Sequence, residues 1–438
     1  MPKVKVGKRD LYEVWPLLTA EERTEAFRAM SLGKAEDFYL RLSNPDRAAL
    51  LLSMKSDDER KLWLRLLAPD DTADIIQKVP PEKHPQLLAL LSDTERNEVR
   101  ALLAYAADDA GGLMNPRFIQ IRPDMLVDEG ILYFRRQAKT HSVHFYSAYV
   151  VDTDRRLVGV VTLRTLFAAP AGTLVHDVMK TDVVSVPEDM DQEKISQLIE
   201  KYKLSAIPVV DVEGRMKGIV SIDDIVNVVR QEATEDIQKI GGMEAITEPY
   251  WQIAFSRMIQ KRGGWLVVLF LGELLTASAM GYFQKEIAQA LILTLFIPLI
   301  ISSGGNSGSQ ATTLIIRAMA LGEIQLQQWW QVFRREALSG LCLGAILGSI
   351  GVVRILLWQA FTGIYGEHFA LVATAVGISL VGVVMWGTIV GSMLPFVLRR
   401  LGFDPASASA PFVATLVDVT GLVIYFGVAG LILHGTLL

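Results

Sequence analysis

The chain runs to 438 residues, too many for one ordinary soluble domain. Its formal charge of −5 sits wholly in residues 1–262, because residues 263–438 hold seven acids and seven bases. An acidic soluble half lacks the basic face a nucleic-acid partner needs, and a lone cysteine, Cys342, excludes a disulfide framework or a thiolate metal site within one chain.

The first segment, MPKVKVGKRDLYEVW, has no apolar core, so no cleavable signal is expected and the first half is read as cytosolic. Residues 1–105 read as short helices. Thr19 with Glu22, Ser56 with Glu59 and Ser92 with Glu95 each fit a capping box, in which two side chains satisfy orphan amide donors. Asn44-Pro45 and Pro80-Pro81 put proline where a first helical turn tolerates it. Starts near 44, 56, 69, 80 and 92 recur at nearly equal spacing, with Leu-rich segments between them. That periodicity predicts a small α-helical solenoid, each unit burying its apolar side on the next; a plain helical bundle is the alternative.

Residues 111–230 contain an internal repeat. Both copies carry a Met-containing lead (Leu113-Met114, Val178-Met179), then a strand, an acidic turn, a second strand and a helix: AYVVDTDRRLVGVVTLRTL and IPVVDVEGRMKGIVSIDDI. This pattern resembles a tandem pair of CBS domains. Such pairs commonly bind adenine nucleotides through a Gly-h-x-Ser/Thr-x-x-Asp segment. The second copy keeps it as Ser221 and Asp224, whereas the first reads Thr162 then Thr165. ATP at this pair would therefore rest on Ser221 and Asp224 alone.

Residues 223–262 read as a long acidic helix, a Gly241-Gly242 break and a second helix. The second places Trp251, Phe255, Met258 and Ile259 on one face, the mark of an amphipathic helix at a membrane edge. Five apolar segments follow, near 264–282, 287–316, 335–360, 370–398 and 409–436, each with the ~20 residues a bilayer core requires. Lys261, Arg262, Arg317, Arg334, Arg335, Arg399 and Arg400 flank ends on one side and only Lys285 the other. The positive-inside rule then puts the N-terminus in the cytosol and the C-terminus outside the cell or inner membrane.

Asp418 lies roughly 12 Å into the fifth segment at 1.5 Å per residue. A bare carboxylate there is costly, and intramembrane acids usually face a water-filled path. Ala410, Ala414 and Asp418 recur every fourth residue on one face, with Gly421 close by. Two copies meeting on an axis would bring two such carboxylates together, and Mg2+, which dehydrates reluctantly, is held by one or two carboxylates through its waters. In the second segment, Asn306 and Gln310 sit one turn apart in SSGGNSGSQATT and can face the same path. Its glycines allow close helix approach. Glu273 and Arg354 are further charges within spans; Glu273 is read either as pairing with Arg354 or as reaching a polar cavity.

PLIISSGGNSGSQATTLIIRAMALGEI, MLPFVLRRLGFDPA and PFVATLVDVTGLVIYF, in this order behind a helical domain and a CBS pair, resemble the MgtE family of Mg2+ channels over essentially the whole chain. The resemblance implies a multidomain fold: an α-helical solenoid N domain over 1–110, an α/β tandem CBS pair over 111–232, a connecting plug helix over 233–262 and a five-helix transmembrane domain over 263–438. It implies a homodimer with a pore on the two-fold axis, Asp418 as the pore aspartate and the Ala414 carbonyl as a second group near the hydrated ion. Ala410 stands where the family commonly has Asn.

The same resemblance implies that cytosolic Mg2+ closes the pore. The matching acids are Asp191, Glu193, Asp224, Glu232, Glu235 and Asp236, with Asp70 and Asp74 in the helical domain, while Lys203 and Asn227 replace two family acids. A physical argument agrees: like charges repel across a closing interface, and a divalent ion between them favours closure. The competing readings are a broader Mn2+, Co2+ or Ni2+ transporter and a membrane-anchored CBS nucleotide sensor. No phosphate-cradling loop or nucleophile elbow supports an enzyme.

Overall fold

A computed structural model describes residues 11–140, 147–246, 250 and 253–437. The chain divides into two compact units, 1–232 and 233–438. The first opens with short helices at Ala20–Arg28, Leu32–Arg41, Asn44–Ser53, Asp57–Leu64, Pro69–Gln77, His84–Ala89 and Asp93–Leu102. These starts match the spacing read from the sequence. Thr19 and Ser92 form the two reciprocal capping boxes. Ser56 does not: it caps through the amide of Asp58, and Glu59 turns away to pair with Arg28 at 3.2 Å.

One device recurs through this domain. Arg23, Arg47, Arg60 and Arg96, each in the first turns of a helix, send Nε back to a carbonyl of the preceding helix: Trp15, Tyr39, Leu51 and Leu88, at 2.9–3.2 Å. Each also pairs through Nη1 with an aspartate, Asp46, Asp71, Asp57 and Asp93 respectively. The arginine thus gives a charged second donor to a helix C-terminal carbonyl that otherwise accepts only a long backbone bond, from Leu18, Leu42, Met54 and Leu91 respectively, at 3.2–3.4 Å. Repetition of that tie, with the apolar sides buried between neighbours, is what makes the short helices a stacked array.

The sequence repeat becomes two three-stranded sheets of the same topology. In the first, β1 (Gln120–Ile121) pairs parallel with β2 (Ser147–Val151), which pairs antiparallel with β3 (Leu157–Thr162). In the second, β4 (Val186–Pro187), β5 (Ala206–Val210) and β6 (Met216–Ser221) repeat the order, with a register shift at the corresponding position. The acidic turns are held by their own first residue: Asp152 Oδ1 accepts from the amides of Asp154 and Arg156, and Asp211 Oδ1 from those of Glu213 and Arg215. The turn needs a left-handed residue next. The second copy supplies Gly214 at φ +79°, the first Arg155 at φ +65°. A side chain there costs roughly 1–2 kcal/mol. Arg155→Gly is expected to stabilise the protein by roughly 0.5–1 kcal/mol, the remainder lost to unfolded-state freedom, and Gly214→Ala to destabilise it similarly. Denaturant midpoints measure both.

A helix from Ile222–Ile240 runs out of the second sheet, and the chain turns at Gly242, φ +71°. The predicted amphipathic helix is not a separate element. Phe255, Met258 and Ile259 belong to the helix Phe255–Tyr282, which continues unbroken through Gly263-Gly264 into the first span, with no proline to stop it. Trp251 lies outside the described residues. Five helices are long and apolar enough to cross a membrane: Phe255–Tyr282, Leu291–Ala320, Leu326–Thr362, Phe369–Arg400 and Ala410–Leu433. The fourth is central. Gly304 and Gly308 of the second span meet Gly387 and Gly391 of the fourth so closely that a Cβ on Gly387 or Gly391 would lie 2.4 or 2.1 Å from a carbonyl oxygen. Gly340, Gly344 and Gly348 of the third span press likewise on its other side. These glycines are the contact surfaces of a membrane bundle, where close backbone approach replaces the hydrophobic effect.

Candidate functional site

In the second unit, the fifth span starts at Ser409, whose Oγ accepts from the amide of Phe412 and caps the helix. Asp418 is half-buried about two and a half turns in from this cap. Among the described residues it has neither a hydrogen bond nor an ion pair. Gly305 of the second span lies beside it: a Cβ built there would sit 3.4 Å from the Ala414 Cβ and 3.8 Å from Asp418 Oδ1. The missing side chain keeps the acid open rather than covered. Glu273 of the first span is near enough for its charge to bear on Asp418, and Gly272 packs that helix onto Thr415. Arg354 does not pair with Glu273; its guanidinium lies 3.9 Å over the Trp358 ring.

Ser302, Asn306, Gln310 and Thr313 form an exposed polar face on the second span. Among the described residues Asn306 reaches only Ser302 of its own helix, at 3.4 Å. Hydrocarbon cannot satisfy such a face, so it suits water or a second copy. Gly421 and Ala410 behave differently. Gly421 is buried against Val383 of the fourth span and serves packing, because a Cβ would meet that valine at 3.1 Å. The Ala410 carbonyl accepts from Ser309 Oγ at 3.2 Å.

In the first unit, Asp70 and Asp74 lie on the helix Pro69–Gln77, and Asp224 near the start of the helix Ile222–Ile240. Fold topology brings these three together although about 150 positions separate them in sequence. Asp70 is buried and its Oδ1 has no hydrogen-bond partner. Burial first, then the charges of Asp224 and Asp71, push its carboxyl well above the usual range. Burial and the charges of Asp71 and Asp224 raise Asp74 to about 7 against the pull of Lys78 and Arg47. Burial raises Asp224 to about 6, opposed by its hydrogen bond from Ser221. Asp74 also accepts from Asn44 at 3.0 Å. Asp224 thus already accepts from Ser221 and faces the charge of Asp71, so a ribose would have to compete for it. Thr165, its counterpart in the first repeat, only joins Thr162 in capping a helix.

The other predicted acids are more dispersed. Asp191 caps the helix Gln192–Tyr202 through the amide of Glu193, and Glu193 is exposed, accepting from Gln197 at 3.2 Å. Glu232 accepts from Gln192. Glu235 pairs with Lys239 at 2.5 Å, and Asp236 follows it on the same helix. Among the described residues no three His, Cys, Asp or Glu side chains close into a ready cage. A hydrated ion held through its waters needs no such cage. Sequence reasoning missed Asp71, Arg47, Lys239 and Asp404; of these only Asp71, adjacent to Asp70, carried a local signal.

Three family models match: the MgtE intracellular N domain over 7–108, the CBS domain over 110–172 and 175–231, and MgtE, divalent cation transporter, over 297–428. A magnesium transporter MgtE from Thermus thermophilus is 38% identical over 98% of this chain and 94% of its own length. One from Bacillus subtilis is 31% identical over 88% and 83%. An inosine-5'-monophosphate dehydrogenase from Aquifex aeolicus is 31% identical over 27% of this chain and 23% of its own, a likeness confined to the CBS pair. With five membrane helices behind a helical domain and a CBS pair, and a likeness that spans both units from end to end, this chain belongs to the MgtE family of magnesium transporters and is not an enzyme.

Proposed function

We propose that the protein imports Mg2+ down its electrochemical gradient and that cytosolic Mg2+ shuts it. The observation that carries the path is Asp418: a carboxylate inside a membrane helix, unpaired among the described residues and left open by Gly305. Two copies related by an axis would set two such carboxylates and the Ala414 carbonyls around a hydrated ion. The exposed Ser302, Asn306 and Gln310 would then line the approach instead of facing lipid. Carboxylate and carbonyl oxygens suit Mg2+ above softer metals. The positive-inside bias supports a cytosolic N-terminus and an external C-terminus.

Closure is read from the buried acids. Asp70, Asp74 and Asp224 repel one another in a low-dielectric setting, and a divalent ion among them would reverse that repulsion. Asp191, Glu193 and Glu232 in the first unit, and Glu235 and Asp236 in the second, are proposed as further sensor acids. The test is reconstitution into liposomes with Mg2+, Mn2+, Co2+ and Ni2+ offered in turn and Mg2+ varied on the side of the soluble half. Mg2+ flux is expected to exceed the other three and to fall as that Mg2+ rises. Equal flux of all four ions would favour a broad divalent carrier. No flux at all would leave a membrane-anchored sensor.

A further inference from the structure

The last turn of the connecting helix Ile222–Ile240 carries a contact that neither the ion path nor the sensor proposed above uses. Lys239 Nζ lies 2.5 Å from Glu235 Oε1 and 2.6 Å from Asp404 Oδ2. Glu235 is one turn back on the same helix, an ordinary spacing for a helical ion pair. Asp404 is 165 positions away, in the link between the fourth and fifth spans. Its other oxygen accepts from the Ala406 amide at 2.8 Å and so holds the short turn Pro405–Ser407. That turn leads directly to Ser409, the cap of the helix bearing Ala414 and Asp418.

Two neighbours fix the same junction. Ile240 packs into an apolar group with Ile316, Ala406 and Ala408. Gly242 admits no side chain, since a Cβ would lie 2.9 Å from Trp265 and 3.2 Å from Pro411, and Trp265 Nε1 donates to Ser409 Oγ at 3.1 Å. Burial works against the charge of Lys239, but the hydrogen bonds and charges of Asp404 and Glu235 outweigh it and hold the ammonium above the usual lysine range. It therefore stays a cation at every physiological pH.

We propose that Lys239 is a positioning residue with two linked tasks: it occupies Glu235 as a tethered cation that a cytosolic divalent ion must displace, and it fastens the connecting helix to the Asp404 turn at the head of the ion-path helix. This rests on the reading of Glu235 as part of the Mg2+ sensor. A divalent ion that takes Glu235 releases half of the ammonium's attachment and leaves Asp404 as its one carboxylate partner. The sensor state is thereby passed to the turn that sets the fifth span. Lys239 opposes ion binding and yet transmits its effect.

Those opposed roles give the test. In the full chain reconstituted in liposomes, Lys239→Met keeps the apolar stem and removes the charge. Cytosolic Mg2+ is expected to bind roughly fivefold tighter, the scale on which a partly buried ion pair competes. Inhibition at saturating Mg2+ should nonetheless be incomplete. Lys239→Arg should restore wild-type values of both. Asp404→Asn should reproduce the incomplete inhibition without the gain in affinity. A purely structural lysine would weaken binding and closure together. That result, or an unchanged Lys239→Met in a protein that Mg2+ still closes, overturns the proposal. A wild type indifferent to cytosolic Mg2+ overturns the sensor reading, and the role of Lys239 with it.

Discussion

Asp418→Asn is expected to cut Mg2+ flux into liposomes at least about 100-fold while leaving the protein as stable as before, or more so. The substitution keeps the side-chain volume and removes one charge. A doubly charged ion ~4–5 Å from a carboxylate gains several kcal/mol even at an effective dielectric of ~20. Retaining only ~3 kcal/mol of that corresponds to about 100-fold or more in occupancy. The stability effect has the opposite sign because the carboxylate is half-buried with no partner among the described residues and feels the charge of Glu273. An unpaired charge in such a place is a cost to the fold, which its neutral isostere relieves. A structural aspartate would lose flux and stability together, so flux assays paired with thermal unfolding of the same preparation separate the two roles. Normal flux through Asp418→Asn would remove this residue from the ion path.

The fifth span and its acid were legible in the sequence because a bilayer imposes a strict demand: apolar length, internally satisfied backbone, and a reason for every charge. The CBS repeat was legible because both copies print the same strand, turn and strand. The capping boxes at Thr19 and Ser92 were legible for a similar reason, since the whole interaction spans four residues. Ser56 shows the limit: Glu59 had the right spacing, but Arg28 from another helix offered its carboxylate a charged partner. The role of Lys239 was not legible at all. Its informative partner, Asp404, is distant in sequence, and neither residue has a local pattern that marks it. Gly421 looked like part of the small-residue stripe near Asp418, yet helical phase turns it onto Val383. The Pro69–Gln77 acids were visible as charges, while their burial against Asp224 depends on how the solenoid meets the second CBS repeat within one unit.

Those acids carry the second large effect. Without divalent ions, the protein is expected to lose stability as pH rises between about 4 and 7, and Mg2+ should restore it at pH 8. The sign follows from linkage. Asp74 titrates at about 7 and Asp224 at about 6 in the folded chain, against an ordinary aspartate value of 3.8. In that window the folded state holds more protons than the unfolded one, so stability present below the unfolded value is lost as pH climbs through the folded values. A tenfold change in proton affinity is worth about 1.4 kcal/mol, and even half of the rise at these two acids would move a thermal midpoint measurably. Once deprotonated, the acids are ready for a divalent ion, so Mg2+ should stabilise the protein more at pH 8 than at pH 6 and close the path at lower concentration there. Replacing Asp70, Asp74 and Asp224 together with Asn should flatten the pH profile and abolish Mg2+ stabilisation of the soluble half. Mg2+ flux should then persist at cytosolic concentrations that silence the wild type, with the inhibitory midpoint raised at least about tenfold. Surface acids screened by solvent would give the reverse pattern: little pH dependence in the wild type, and an unchanged inhibition curve in the triple variant. Three carboxylates repelling in a buried junction store the energy that the ion releases on binding, so the same residues must control acid stability and ion-driven closure.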